Sequence, residues 1–417
     1  MASHKQHFMA LEWLRLCLGL YIVLFHTFHF PELPDWVAKL TQLGFFSTST
    51  FFVLSGFLLA HVYLKRNADN SVYMRESRKS FLIKRFANLY PIHLFSLVAT
   101  LVIVSALPHL MIIPNDAGAS MRFVMYDANN YADGSALKHY MSNAELALAF
   151  VMNGTLLQAL NPYYLTFNAP AWTVSTLFCL YLIFPFFAIR LSKLKKPLIA
   201  IGLLNLIYLV PVLLAIQFSD FGMPITGILH RNPLIRLPEF AAGILLCSLY
   251  HRQCASGFRP SKIVISALVF LILGSLYGAS RFLAIAPQIS STGNVPYYLL
   301  HDGLLLPAQL SLIYLCLYIR LPETPGWLKW SKRFGGASLP MFAFHVPLYM
   351  VFSRIERVIT GEPSLCWTSL HQCFVSSGQP VAWLYPVFIV LLIGFCILFQ
   401  ERVVISCRNW IQRVALK

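Results

Sequence analysis

The sequence predicts an all-α fold, a polytopic transmembrane helix bundle of about 10 spans with a re-entrant segment on the outer side. Three observations carry this. Of the 417 residues, 58% are hydrophobic and 12% charged, with a mean hydropathy of +0.65; a soluble domain carries about twice that charge. Apolar stretches long enough for the ~30 Å hydrocarbon core of a bilayer recur along the chain. Finally, 24 of the 32 Lys and Arg fall in alternate connections and span ends, the bias expected of cytoplasmic loops.

That distribution also disposes of the net charge of +16 as a sign of nucleic-acid binding, because the basic residues are spread between spans rather than gathered in one domain. The N-terminal MASHKQHF has no separate cleavable signal pattern, so the first apolar stretch is expected to stay as span 1. The nine Cys include no close CxxC pair, so neither a zinc site nor a thioredoxin-like centre is expected, and no metal is assigned.

Span 1, residues 11–30, reads LEWLRLCLGLYIVLFHTFHF and carries Glu12, Arg15, His26 and His29 among apolar side chains. Arg15 and His26 are eleven residues apart, three turns plus about 20°, so they share one helix face about 16 Å apart along the axis. Such groups are costly in lipid and should face a bundle interior or a wet cavity. Glu12 lies one turn from Arg15, close enough for a purely structural pair.

Span 2 covers residues 44–63 and contains FFVLSGFLLA, in which Gly56 is expected to let it approach span 1 closely. Seven Lys or Arg between Lys65 and Arg85 put the next loop, and with it both termini, in the cytoplasm. Span 3 is read as residues 86–107. The apolar 144–160 segment is too short to cross and is read as re-entrant. Span 4 starts near Trp172, and span 5 is residues 197–216. An outer loop reaches Arg236. Span 6, residues 237–250, is short and is expected to begin before its first charge. Spans 7 and 8 are residues 263–278 and 297–319, and the basic stretch from Arg320 to Gly336 is read as an inner loop. Spans 9 and 10 are residues 337–352 and 381–404. Cys366 and Cys373 share the last outer loop, where an oxidising compartment would allow a disulfide.

In this order, LEWLRLCLGLYIVLFH, FFVLSGFLLA, IKRFANLYP, PAWTVSTLFCLYLIFP, RLPEFAAGI and SLPMFAFHVP resemble the blocks of the acyltransferase 3 family of integral membrane O-acyltransferases. The resemblance spans nearly the whole chain and implies one membrane domain over residues 1–417. Arg15 and His26 match the family's essential pair. The resemblance also implies an acyl-CoA donor, acetyl-CoA or a related thioester. Arg15 near the cytoplasmic interface suits its phosphate or thioester. Arg85, matching the family's basic motif, would with Lys84 hold its nucleotide end or else serve only as a positive-inside anchor. The acceptor is then a hydroxyl on a glycan, a lipid-linked sugar or a small secreted molecule. His345 matches the family's late His, although a helix-to-helix hydrogen bond would also account for it. Trp172 and Ser175 match the front of a W-S-L-S-x-E block, but Leu177 stands where the acidic residue is expected. Trp172, Arg236 and Glu239 are candidate acceptor-binding residues, with an interfacial aromatic the alternative for Trp172 and a buried structural pair the alternative for the other two.

The expectation is therefore a membrane O-acyltransferase, an O-acetyltransferase by preference, in a bacterial inner (cytoplasmic) membrane among its lipids. His26 would serve as general base in direct transfer, since no Ser or Cys shares a base-bearing motif. The competing class is a transporter or flippase for a sugar-lipid or anionic substrate, which would use inward Arg and His equally well. Paired repeats with broken helices would favour it, and no convincing repeat is present.

Overall fold

In the computed structural model, residues 8–30, 41–67, 71–110, 121–129, 134–285, 294–369, 372–373 and 378–416 are described. Among them ten helical segments are long and apolar enough to cross a membrane, the number expected. Helix α1 (Met9–Thr27) and α2 (Gly44–Tyr63) run antiparallel. Phe25 packs against Gly44 at one end, and Phe8 lies 6.0 Å from Phe57 at the other. The second of these is the basic end. There α2 continues into a short antiparallel hairpin, β1 (Leu64–Arg66) and β2 (Val72–Met74), which returns the chain to α3 (Arg78–Leu110).

Span 3 thus begins eight residues earlier than the sequence suggested, and Pro91 lies inside it rather than at its entrance. Beyond α3, a second hairpin, β3 (Phe123–Met125) with β4 (Lys138–Tyr140), leads to α4 (Asn143–Gly154). Its twelve residues reach only about 18 Å, so α4 does not cross. A capping box of Ser142 and Glu145 starts it. At its far end Tyr90 donates to the Gly154 carbonyl at 3.0 Å, and His93 Nε2 lies 2.7 Å from the Asn153 carbonyl oxygen, both from α3.

Helices α5 (Trp172–Lys193) and α6 (Pro197–Phe218) follow as expected. The loop read before Arg236 instead contains α7 (Ile225–Arg231). Pro233 occupies the first position of α8 (Pro233–Ala255), and Asn232 caps it by accepting from Leu234 N at 2.9 Å. The cap ends α7 and redirects the chain. Span 6 does begin before Arg236. Helix α9 (Lys262–Ala284) lies at the periphery, with Ile263 and Phe270 exposed.

Span 8 is not continuous. It is α10 (Asn294–His301) and α11 (Leu306–Tyr318), divided where Gly303 takes φ +104° and Pro307 opens the second piece. The presumed inner loop before span 9 is helical too. Helix α12 runs Pro325–Thr360, 36 residues or about 54 Å, longer than a bilayer's hydrocarbon core. The last span passes from α13 (Tyr385–Phe399) through a π-helical turn (Gln400–Val404) into α14 (Ile405–Ala415), so the basic tail continues the helix. A disulfide joins Cys366 and Cys373.

The core is set by two close helix pairs. A Cβ on Gly56 would lie 1.9 Å from the Phe240 carbonyl oxygen, and one on Gly243 would lie 1.9 Å from that of Val53. The small residue of α2 therefore serves contact with α8, not with α1 as the sequence suggested. Helix α1 instead packs along α12, where Glu12 fills the space over Gly335 and Trp13 donates to Ser331 at 2.9 Å.

Candidate active site

At the end of the bundle away from the basic hairpin, the helix breaks open a cavity of about 460 Å³, within the usual size range of small-ligand sites. Its wall takes Phe25 and His26 from α1, Phe45 from α2, Trp172 from α5, Arg236 from α8, His301 from α10 and Phe342 from α12. His26 is exposed, and it faces this cavity.

His345, fully buried on α12, reaches across so that its Nε2 lies 3.0 Å from His26 Nδ1. The order of hydrogens in this pair follows from the backbone. His345 Nδ1 is 2.8 Å from the Met341 carbonyl oxygen, which only accepts, so Nδ1 carries the proton and Nε2 is left as a lone pair. His26 Nδ1 must then be the donor, and it also faces the Ile22 carbonyl oxygen at 3.0 Å. His26 Nε2 is consequently an acceptor, and no side chain among the described residues bonds to it. The arrangement can take a proton from a group in the cavity.

Trp172, only 7% exposed, is part of the cavity wall. The ring of His230 meets it edge-on at 4.9 Å, and the Arg236 guanidinium carbon lies 6.0 Å from its ring centre. His230 Nδ1 is 2.9 Å from the Asp127 carboxylate, and fully buried Arg231 pairs with the same oxygen. Burial pushes Asp127 up, but His230 and Arg231 outweigh it and hold the carboxyl well below the usual range. Arg236 is held from several sides. It donates to Tyr208 and the His301 carbonyl at 2.9 Å, to the His230 carbonyl at 2.6 and 2.9 Å, and pairs with Glu239 and Asp302 at 3.2 Å each. Glu239 stands behind Arg236, bonded to Tyr208 at 2.8 Å, and does not line the cavity.

Of the residues singled out from the sequence, His26, His345, Trp172 and Arg236 therefore converge on one place. Arg15, Lys84 and Arg85 do not. Arg15 pairs with Glu12 at 3.0 Å, Lys84 pairs with Glu76, and Arg85 donates to Tyr63 at 2.6 Å with its Nε lacking a partner. Arg15 and Arg85 both belong to the basic end: Arg85 bonds Tyr63, the last residue of α2 before the hairpin, and Arg15 stands two turns from Phe8, which packs on Phe57 there. His230, Asp127 and His301 escaped the sequence reading. The visible signals were charged pairs at breaks, His230-Arg231 before Asn-Pro and His301-Asp302 inside an apolar span.

Three imidazoles and a caged guanidinium line one cavity inside a ten-span helical bundle, an arrangement suited to acid–base chemistry within a membrane. The acyltransferase 3 family, described as an acyltransferase domain, matches residues 9–401, and the chain belongs to it. The protein is a membrane-bound acyltransferase. It is similar to the acyltransferase MdmB of Streptomyces mycarofaciens, 25% identical over 336 residues, covering 78% of this chain and 72% of that one. No solved structure matches.

Proposed function

We propose that the protein transfers an acetyl or other short acyl group from acyl-CoA to a hydroxyl of a glycan, a lipid-linked sugar or a small secreted molecule, with His26 as general base. The observation that carries this reading is the hydrogen order from the Met341 carbonyl through His345 to His26, which leaves His26 Nε2 free at the cavity. Nε2 takes the acceptor hydroxyl's proton as that oxygen attacks the thioester carbon. The carbon–sulfur bond then breaks, and the proton passes to the departing thiolate, giving an ester and free CoA. His345 Nε2 accepts from the His26 imidazolium during the step.

The donor's phosphates would sit at the basic end, where the unpartnered Arg85 Nε suits an anion, with Arg15 nearby. Lys84, already paired with Glu76, would act there through its charge. Trp172 and Phe342 offer flat apolar faces to a sugar ring, and Arg236 a fixed polar group. The basic end would face the cytoplasm of a bacterial inner membrane, both termini included.

The test supplies radiolabelled acetyl-CoA and candidate hydroxyl acceptors to wild-type and His26→Gln protein in sealed vesicles. A hydroxylamine-labile labelled product from wild type alone is expected. Equal transfer by a folded His26→Gln protein would sink the assignment. A thiol-reactive probe that cannot cross membranes, applied to introduced cysteines in the 65–85 loop of intact cells, checks the orientation. Labelling there would reverse it.

A further inference from the structure

At the basic end, away from the cavity, His61 from the last turn of α2 meets Cys247 and His251 from α8. His61 Nδ1 is 3.0 Å from His251 Nε2, Cys247 Sγ is 3.9 Å from that same nitrogen, and all three atoms lie within 4.8 Å of one another. We infer that His61, Cys247 and His251 form a binding site for one Zn²⁺ ion, with a water as fourth ligand.

Donor chemistry, spacing and rigidity support this together. Two imidazoles and a thiolate are a ligand set that zinc accepts, with bonds of about 2.0 Å to nitrogen and about 2.3 Å to sulfur. At tetrahedral angles these lengths place the donor atoms roughly 3.3–3.6 Å apart, so the observed spacings need changes of a few tenths of an ångström to about one. Cys247 and His251 stand one helical turn apart on the same face, a Cys-x3-His spacing that a search for CxxC pairs passes over. The helices bearing the ligands are locked, because backbones touch at Gly56 and Gly243, the latter one turn before Cys247. Next to the cluster, Cys247 and His251 help line a small void of about 20 Å³, which is room for about one water molecule.

Arg66 and Arg75 stand close enough to oppose a cation, although each is hydrogen-bonded to other groups. Arg66 is turned to the Ser192 carbonyl at 2.5 Å and to Ser248 at 3.2 Å, and Arg75 Nε donates to the Leu64 carbonyl at 3.1 Å. Binding converts the Cys247 thiol to thiolate, which offsets one of the ion's two charges.

The full-length protein, purified through a tag without histidine and stripped with a chelator, is titrated with Co²⁺ as a spectroscopic stand-in. One saturable cobalt per chain is expected, with a thiolate-to-cobalt charge-transfer band in the near ultraviolet that Zn²⁺ abolishes. Cys247→Ser should remove the band and His251→Gln should weaken binding at least tenfold, while Cys254→Ser, an exposed neighbour, should change neither. In the unaltered protein, metal analysis after equilibration with Zn²⁺ should find one zinc per chain, and this arm does not depend on any variant folding. Absence of saturable cobalt binding, a band that survives Cys247→Ser, or no retained zinc overturns the site.

Discussion

His345 Nε2 lies 3.0 Å from His26 Nδ1, and because the Met341 carbonyl claims the other His345 nitrogen, the proton between the two rings belongs to His26. The consequence can be tested at His345 itself. His345→Phe removes an acceptor from the imidazolium but leaves the Ile22 carbonyl at 3.0 Å to hold the His26 tautomer. A hydrogen bond to a charged group is worth about 1.5–3 kcal/mol, so transfer should fall on the order of 10- to 100-fold. Removing the base in His26→Gln should cost about 10²–10⁴-fold. Initial rates of acyl transfer compare the two. A His345→Phe protein slower than His26→Gln would make His345 the base instead.

The contact between α2 and α8 gives a prediction about stability. Gly56→Ala or Gly243→Ala would press a methyl into backbone that cannot retreat, at a cost of about 1–3 kcal/mol or more. Gly274→Ala on α9, where nothing lies within 4 Å of the added carbon, should be neutral or stabilising by about 0.5–1 kcal/mol. Thermal unfolding in detergent would report all three. Equal midpoints for Gly56→Ala and Gly274→Ala would contradict the close approach.

The sequence made the spans legible because each is a run of apolar residues whose length the bilayer dictates; α2 matches its expected bounds to the residue. It was less informative at the breaks. Charged residues such as His230 and Arg231 lower local hydropathy and imitate a loop, yet here they end a helix whose cap is Asn232. The amphipathic run from Pro325 fooled the reading for the same reason, since helix formation needs no apolar composition outside the membrane. His26 and His345 were visible as lone imidazoles in apolar spans. Their meeting was not, because 319 residues separate them and only packing of α1 on α12 joins them. Asp127 had no periodic context at all.

Asp127 should matter to stability over a defined pH range. It is the counter-charge of fully buried Arg231, and removing one partner of a buried pair costs about 3–5 kcal/mol. Burial raises its pKa, but His230 and Arg231 hold it below the ordinary 3.8, so its contribution is complete above that value and is lost only as pH falls through the lower, folded one. Asp127→Asn should therefore lower the unfolding midpoint by the same amount at pH 7 and pH 9. A gap smaller at pH 7 than at pH 9 would show that Asp127 is not ionised in the folded protein near neutrality.

The proposed donor contacts separate by how each cation is already engaged. Arg85 is fixed by its 2.6 Å bond to the Tyr63 hydroxyl and by the Tyr63 ring, 5.0 Å from its guanidinium carbon, while its buried Nε has no partner. A guanidinium offers several donors in one plane to a phosphate, whereas an ammonium is a point charge. Arg85→Lys should therefore weaken acetyl-CoA binding nearly as much as Arg85→Ala, despite keeping the charge. Arg15→Ala should weaken it as well, with Glu12 then left unpaired on α1. Lys84→Ala should have the smallest effect, because Glu76 already neutralises that point charge, whereas Arg15 keeps guanidinium donors beyond the one it gives to Glu12. Losses on the order of tenfold or more correspond to about 1.4 kcal/mol each, and equilibrium titration of purified protein with acetyl-CoA resolves them. Unchanged affinity in both Arg15→Ala and Arg85→Ala would place the donor elsewhere. An effect of Lys84→Ala as large as that of Arg85→Ala would mean that bulk positive charge, not the guanidinium geometry, holds the phosphates.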